Sequence, residues 1–321
     1  MLAWIQASQY DDFSMQETTR PNLGLCDVRV SVRSIGVNRA DILQRKGLYP
    51  APTPTRNDII GLEFAGVVME KATNVPDSIA IGARVMGIVA GEAYAEEVVI
   101  DYRLLLDIPA HISFVDAVAI PEAFLTAYDA LFTQGSVSER DTVLVHAIAS
   151  GVGDAVRQLC SAYGIHCIGT TRSAGKKDHP KLAHTEVFVV QDGTFPTELR
   201  ERRVDLIVDF VGANYFSQNL RLLQRKGRLV LLGLLGGHSS EIPLALVLQQ
   251  SLQIKGSTLR SRPLEEKIVL LASFRENCMP LYIAGKLEAS IDRVYSWKDA
   301  KDAHAYMLRN ENFGKIVLTV D

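Results

Sequence analysis

The sequence predicts an α/β protein that combines a doubly wound parallel sheet with a β-rich domain, and three observations lead to this fold class. Residues 142–153 form a short apolar strand, a turn of small residues and the start of a helix. From about residue 121 to residue 258, short apolar strands alternate with helical segments, which is typical of a parallel sheet with crossover helices. The first third of the chain instead contains alternating or β-branched runs punctuated by glycine and proline.

In the β-rich first third, Asn38 and Asp41 have the spacing of a capping box at the start of a helix over residues 39–46. The strands predicted around that helix are residues 28–34, 64–70, 84–90 and 95–100. In the alternating region the predicted strands are residues 142–146, 165–170, 187–190, 205–210, 228–234 and 252–257. Two helices, 263–284 and 297–308, and a last strand, 315–320, complete the chain.

Composition excludes several classes of function. The chain has 321 residues, enough for two domains, and its 47% hydrophobic and 22% charged content is that of an ordinary globular protein. A net charge of −3 predicts no nucleic-acid partner. The N-terminus lacks the features of a signal peptide, and the apolar runs are too short to span a bilayer, so we expect a cytoplasmic protein without a membrane partner. Four scattered cysteines without a C-x-x-C pair argue against disulfides and structural zinc.

The turn after the first strand of the alternating region predicts a phosphate site. Ala147, Ser150 and Gly153 take the places of the three glycines in the dinucleotide-binding fingerprint. Small residues let the backbone N–H groups of Ser150, Gly151, Val152 and Gly153 approach a pyrophosphate, which the helix dipole also favours. The alternative is a tight strand–helix turn without a ligand.

The end of the next strand predicts which dinucleotide binds. An NAD site places an acid roughly 20 residues after the glycines, but the first acid after Asp154 is Asp178. Arg172, Lys176 and Lys177 occupy this region instead, and they suit the 2′-phosphate of NADPH. The alternative is a solvated basic turn. We therefore predict NADPH as cofactor.

Several segments, in this order and spacing, resemble the zinc-independent quinone oxidoreductases of the medium-chain dehydrogenase/reductase superfamily over nearly the full length. These segments are residues 36–49, 61–67, 120–127, 147–153, 204–212, 226–230, 259–262 and 312–317. The resemblance implies a GroES-like substrate domain of residues 1–122 and 259–321, a Rossmann domain of residues 123–258 inserted in it, and a homodimer. It also implies a small-molecule quinone or unsaturated carbonyl as substrate.

The resemblance also implies chemistry without a metal. Zinc-dependent relatives have Cys at the position of Asn38 and His at that of Leu62, and neither replacement is a competent zinc ligand here. The resemblance places Tyr49 beside the nicotinamide, where its phenol could polarise a carbonyl oxygen, with Asn38 lining the same pocket. The alternatives are an aromatic ring packed on prolines for Tyr49 and a helix cap for Asn38. We predict that Tyr49 and Asn38 are catalytic.

Three further cofactor contacts come from the resemblance. Thr126 and Gly233 match positions beside the nicotinamide, and Lys315 matches a C-terminal cofactor contact. Ile148, Asp154 and Val190 depart from the family pattern, which leaves cofactor affinity open. The leading hypothesis is an NADPH-dependent, metal-free oxidoreductase that transfers a hydride to quinones or related conjugated carbonyls. The alternatives are an enoyl or alkenal reductase and a weakly catalytic NADPH-binding sensor or scaffold.

Overall fold

The structure, a computed structural model, describes residues 1–6, 12–56 and 58–320. The chain forms two compact units. The discontinuous unit consists of Met1–Leu125 and Leu259–Asp321, and the inserted unit of Thr126–Thr258. The first boundary therefore follows Leu125, three positions after the predicted Glu122, and lies within one helix, Pro121–Tyr128.

Both units contain β-strands. They are β1 (Leu2–Gln6), β2 (Phe13–Glu17), β3 (Asp27–Val37), β4 (Glu63–Lys71), β5 (Arg84–Ile88), β6 (Glu97–Asp101), β7 (Leu105–Asp107), β8 (Thr142–Val145), β9 (His166–Thr171), β10 (Glu186–Val189), β11 (Val204–Asp209), β12 (Leu223–Leu231), β13 (Gln253–Gly256), β14 (Ile291–Ser296) and β15 (Lys315–Thr319).

The helices are mostly short. They are α1 (Arg39–Arg45), α2 (Phe114–Val118), α3 (Pro121–Tyr128), α4 (Gly151–Ala162), α5 (Ala174–Lys177), α6 (Thr197–Arg200), α7 (Ala213–Leu222), α8 (Leu244–Gln250), α9 (Leu264–Asn277), α10 (Met279–Ile283) and α11 (Ala300–Leu308). No helix in the described part of the chain is long and apolar enough to cross a membrane.

The discontinuous unit is built around a seven-stranded sheet in which β15, from the end of the chain, pairs with β3 from its beginning. The order is β14-β15-β3-β4-β5-β7, with β6 also paired to β3, and β1 and β2 form a separate antiparallel pair. Val28, Val30 and Val32 of β3 are buried. This pairing explains why the two ends of the sequence fold together, although the inserted unit separates them in the chain.

The inserted unit contains a parallel six-stranded sheet in the order β10-β9-β8-β11-β12-β13. The order runs outward from β8 to β10 on one side and then, after a reversal, from β11 to β13 on the other. Right-handed crossovers on both sides of that reversal place helices on both faces. The predicted doubly wound parallel sheet is thus confirmed, and the crevice at the reversal, beyond the carboxyl ends of the strands, is where such sheets bind ligands.

Two predicted element boundaries are wrong for physical reasons. The helix predicted over residues 263–284 is interrupted at Cys278, between α9 and α10. Pro280 causes this break, because proline has no N–H to donate to the preceding turn and its ring clashes with it. The strand predicted to contain Gly233 ends at Leu231, so Gly233 lies in the loop after β12. The strands β1, β2, β7 and β14 were not predicted.

Candidate cofactor and substrate sites

The turn between β8 and α4 brings strand and helix into close contact. Ala147, at the first fingerprint position, has a positive φ of 49°. Ser150 is the N-cap of α4, and its Oγ accepts a hydrogen bond from Gly153 N at 3.0 Å. A Cβ on Gly153 would overlap the carbonyl oxygen of Ala147 and lie 2.8 Å from Ile148 Cα. Only glycine at position 153 therefore permits this crossing.

The same turn leaves donors available. Among the described residues, the backbone N–H groups of Gly151 and Val152 have no hydrogen-bond partner. They lie at the positive end of the dipole of α4, where an anion is stabilised. Asp154, in the same helical turn, does not leave an uncompensated charge, because its carboxylate accepts from Arg157 at 2.7 Å and from Gln158 at 2.7 Å. The turn can therefore hold a diphosphate.

The other two departures from the family pattern, Ile148 and Val190, are apolar side chains that pack in the interior of the inserted unit. Ile148 is fully buried, and its side chain occupies the space that a Cβ on Gly169 would fill, since that atom would lie 2.7 Å from Ile148 Cβ. Val190 is also buried, in the core of the inserted unit. Ile148 is thus compensated within the inserted unit by a glycine on the neighbouring strand β9.

A buried hydrogen-bonded chain joins the carboxyl ends of three strands in the inserted unit. His146 Nδ1 lies 2.8 Å from Thr170 Oγ1, and His146 Nε2 lies 2.8 Å from Asn219 Oδ1. Asn219 Nδ2 donates to Asp209 Oδ2 at 3.1 Å. Because Asn219 Oδ1 can only accept, Nε2 of His146 carries the hydrogen and Nδ1 accepts from Thr170. His146 is fully buried, and this burial lowers its pKa.

Of the remaining predicted residues of the inserted unit, Arg172 and Gly233 follow strands of the parallel sheet at this same edge. Arg172 directly follows β9, is exposed and has no ion-pair partner among the described residues. Lys176 and Lys177 follow in α5. A Cβ on Gly233 would lie 3.1 Å from Phe210 O, so the backbone approaches closely there. Thr126, in α3, has a buried hydroxyl oxygen without a hydrogen-bond partner in the described part of the chain.

In the discontinuous unit, Asn38 and Lys315 meet at a buried carboxylate that was not predicted as a site residue. Glu63 Oε1 accepts from Asn38 Nδ2 at 2.9 Å and from Lys315 Nζ. Lys315 Nζ also donates to Asn38 Oδ1 at 2.7 Å. Glu63 is fully buried and Lys315 is 5% exposed. Gly36 creates the space, because a Cβ there would overlap the Glu63 carboxylate.

These contacts change the interpretation of both predicted residues. Asn38 precedes α1, but it is the carboxylate of Asp41 that caps, by accepting from Asn38 N at 2.8 Å. The Asn38 amide instead donates to Glu63 and, at 3.2 Å, to Gly36 O. The ammonium of Lys315 is bound by acceptors of its own unit, so the structure gives it a buried structural contact.

A second layer of buried groups supports this cluster. Tyr94 OH lies 3.1 Å from Asp41 Oδ2 and 3.0 Å from His304 Nε2, and Arg45 Nη1 lies 2.9 Å from His304 Nδ1. Since arginine only donates, the hydrogen bonds run from Arg45 to His304, from His304 to Tyr94 and from Tyr94 to Asp41. Burial, and then the charge of Arg45, lower the pKa of His304 to about 3. Burial raises the pKa of Asp41 to about 7.

Tyr49 lies in the loop after α1, where Arg260 holds it. The Arg260 guanidinium is 5.0 Å from the centre of the Tyr49 ring, and its Nη1 donates to Tyr49 O at 2.6 Å. The phenol oxygen has no hydrogen-bond partner among the described residues. Burial, and then the charge of Glu122, raise the pKa of Tyr49. The ring is thus packed on a cation while its hydroxyl stays available.

Glu122 is the second site residue outside the predicted set. It lies in the first turn of α3, and its backbone N–H donates to Glu63 Oε2 at 2.9 Å, so Glu63 joins it to Asn38 and Lys315. Burial, and then the charge of Glu63, raise the pKa of Glu122 to about 8. From the sequence, Glu122 is either a residue beside the nicotinamide, as the resemblance implies, or an ordinary acid at the start of a helix.

Zinc does not fit the residues at the two positions where zinc-dependent relatives carry ligands. Leu62 has no lone pair and is buried, and Asn38 Oδ1 already accepts from the ammonium of Lys315. Within residues 1–6, 12–56 and 58–320, no group of three or more His, Cys, Asp or Glu side chains could hold a metal ion.

Comparisons with known proteins place these features in a family. Residues 24–110 match the family described as "Alcohol dehydrogenase GroES-like domain", and residues 182–318 match "Zinc-binding dehydrogenase". The chain is 28% identical over 315 residues to quinone oxidoreductase-like protein 2 of Mus musculus, covering 96% of this chain and 89% of that protein.

Solved structures agree over the whole chain. A crystal structure of an NAD-dependent alcohol dehydrogenase has a TM-score of 0.85 and 28% identity, covering 100% of both chains. A mycobacterial protein complexed with NADPH has a TM-score of 0.85 and 25% identity, covering 99% of this chain and 100% of that one. The two matched models, the mouse relative and the solved structures together support a zinc-independent, quinone oxidoreductase-like family of the medium-chain dehydrogenase/reductase superfamily, with a GroES-like and a Rossmann domain.

Proposed function

We propose that the protein is an NADPH-dependent, metal-free oxidoreductase that transfers a hydride to quinones or related conjugated carbonyls. The observation that carries this proposal is the β8–α4 turn, with its unpaired N–H groups on Gly151 and Val152. Arg172 follows β9, which pairs in parallel with β8, so the arginine lies at the same sheet edge as the turn. The quinone part is supported by the mouse relative's name.

The choice of NADPH rests on this chain's own charges. Its solved relatives include one named as NAD-dependent and one complexed with NADPH, so likeness alone does not separate the two cofactors. An exposed arginine without an acidic partner suits a 2′-phosphate, and Lys176 and Lys177 add positive charge nearby. An NAD site would place a carboxylate here, and it would repel that phosphate.

When bound, NADPH supplies the hydride. Gly151, Val152 and the small turn residues Ser150 and Gly153 would hold its diphosphate, Arg172 its 2′-phosphate, and Thr126 and Gly233 the nicotinamide end. Lys315 was predicted as a cofactor contact, but we propose that it holds Glu63 and Asn38 in place instead.

On the substrate side, we assign polarisation of the acceptor oxygen to Tyr49. Its hydroxyl is unpartnered among the described residues, and a hydrogen bond from it would stabilise the negative charge that arrives with the hydride. Both amide hydrogens of Asn38 already donate to Glu63 and Gly36 O. Asn38 therefore lines and orders this pocket, while Tyr49 donates.

The three departures from the family pattern had favoured a weakly catalytic sensor or scaffold. Asp154 is paired with Arg157, and Ile148 fits against Gly169, so neither blocks the turn. Two of the three observations that favoured weak cofactor binding are thereby removed.

The test is direct. Isothermal titration should show NADPH binding, and NADPH oxidation should accelerate when a naphthoquinone is added. Faster turnover of an unsaturated thioester or a 2-alkenal would move the substrate class to enoyl or alkenal reduction. Tight NADPH binding with no turnover of any acceptor would favour the sensor instead.

We also propose a homodimer that forms through the free edge of the parallel sheet. β13 is the last strand of that sheet, and the nearby exposed side chains include Leu244 and Leu248 of α8, which are 72% and 81% exposed. Monomeric proteins rarely leave a sheet edge and large apolar side chains uncovered together. Sedimentation equilibrium would measure the mass, and a monomer at micromolar concentration would contradict the proposal.

A further inference from the structure

Glu122 has an environment that the hydride-transfer chemistry above does not use. Its backbone N–H is bound to Glu63, which places it directly beside the cluster of Asn38 and Lys315. Its carboxyl group accepts no hydrogen bond from any described residue. It is partly buried, and it interacts electrostatically with Tyr49, whose hydroxyl is also unpartnered.

The charges around Glu122 come from several elements. Glu63 on β4 and Asp41 on α1 oppose its ionisation, whereas Lys315 on β15 and Arg260 after β13 favour it. Tyr49 and Lys267 on α9 also face it.

An acid at the start of a helix is ordinarily stabilised as the carboxylate by the helix dipole. Here burial and the neighbouring Glu63 outweigh that effect, and they raise the pKa of Glu122 to about 8. At pH 7 the side chain is therefore mostly a neutral acid with a proton to donate. Lysozyme is a known example of this principle: an apolar pocket raises the pKa of one of its carboxyl groups, which then acts as a general acid.

We propose that Glu122 is the general acid of this site and delivers the proton that the reduced substrate requires. The inference rests on the proposed function. The substrate gains a hydride from NADPH, which is oxidised to NADP⁺, and its oxygen becomes negatively charged. The O–H bond of Glu122 breaks as an O–H bond forms on that oxygen. The carboxylate of Glu122 then regains a proton from water.

The first test compares Glu122→Gln with Glu266→Gln. Glu266 lies in the first turn of α9, is exposed, and so controls for the same chemical change at a helix start. For the wild type, kcat should be constant at neutral pH and fall above about pH 8, where Glu122 loses its proton. Glu122→Gln should lower kcat at pH 7 by about 10²-fold or more and remove that fall, and NADPH affinity should not change. Glu266→Gln should behave as the wild type.

The second test needs no turnover. Infrared spectroscopy of the free protein should show a protonated carboxyl band that titrates near pH 8 and is missing in Glu122→Gln. Asp41→Asn controls for the other raised carboxyl, whose pKa is about 7. It should remove a band that titrates about one unit lower and leave the band of Glu122 in place.

The outcomes separate the two proposals. A wild type that turns over no acceptor would overturn the proposed function, and the general-acid role with it. Turnover that keeps both its rate and its alkaline fall in Glu122→Gln would overturn only the role of Glu122. A missing infrared band near pH 8 would also overturn it, because the acid would then be ionised at neutral pH.

Discussion

The two candidate sites are built in opposite ways. In the inserted unit, the turn between β8 and α4 presents backbone N–H groups of Gly151 and Val152 that no side chain of the described residues satisfies. In the discontinuous unit, Glu63 and Lys315 are buried, and together with the half-buried Asn38 they satisfy one another. The first arrangement suits an anionic ligand, which can accept hydrogen bonds from the open N–H groups. The second leaves few polar groups free to bind a ligand or water. The comparison shows that one unit leaves backbone donors open in a turn, whereas the other satisfies its polar side chains internally.

The closed network should be the more costly to break. Lys315→Met leaves the carboxylate of Glu63 buried without its cation, so we expect it to lower the free energy of unfolding by about 3–5 kcal/mol. Lys301→Met is the matched control, because Lys301 pairs with Asp12 at the surface, where such pairs contribute little. Urea denaturation measures both. If Lys315→Met lowers the free energy of unfolding no more than Lys301→Met does, the Lys315–Glu63 ion pair does not stabilise the site.

The same variant also separates the two roles assigned to Lys315. In the double variant Glu63→Gln/Lys315→Met, much of the lost stability should return, because neither charge is then left alone. If Lys315 contacts the cofactor as the resemblance implies, the double variant should fold but bind NADPH less tightly than the wild type. Unchanged affinity would assign Lys315 to the closed network alone.

The open turn should be sensitive to a single methyl group. Gly153→Ala places a Cβ against backbone atoms of Ala147 and Ile148, so we expect a loss of about 1–3 kcal/mol, which exceeds the gain of up to about 1 kcal/mol from the better helix propensity of alanine. NADPH binding should weaken as well, because the turn must open. Gly256→Ala, where no atom lies within 4 Å of the new Cβ, is the control. Equal melting temperatures for the two variants would contradict the close crossing.

The cofactor choice is tested by Arg172→Ala. Loss of one charged contact to the 2′-phosphate, about 1.5–3 kcal/mol, corresponds to an affinity for NADPH lower by about 10-fold to 10²-fold. The affinity for NADH should hardly change. Arg225→Ala, an exposed arginine near the amino end of β12, is the matched control. If NADPH and NADH affinities fall equally, the assignment of NADPH is wrong.

The smallest expected effect concerns the strain at Ala147. Because its φ of 49° lies in the left-handed region, Ala147→Gly should relieve about 1 kcal/mol or less and raise the melting temperature slightly. Ala149→Gly is the control, because Ala149 has no positive φ and the loss of its buried methyl should destabilise the protein. A stability change of the same sign in both variants would argue against strain at Ala147.

The sequence predicted well those features that arise within short segments. The strand–turn–helix of residues 142–153, the alternation that produces the parallel sheet and the run of positive charge after β9 are all local patterns. The break at Cys278 and the edge strand β14 were missed, although Pro280 was visible in the sequence. Helix periodicity on both sides of Pro280 masked its effect, and β14 lacks a buried face whose alternation would show.

What the sequence by itself determined is therefore the inserted unit with its tight strand–helix turn, since small residues at fixed spacing dictate where a backbone can make such a close crossing. Only the tertiary structure decided the environment of the discontinuous unit's polar residues. Glu63, Glu122 and Lys315 are far apart in the chain, and each alone is typical of a solvated surface residue. The pairing of β15 with β3 buries Lys315 against Glu63, and that burial sets the role of Lys315. The burial of Glu122 itself, and then the charge of Glu63, raise the pKa of Glu122.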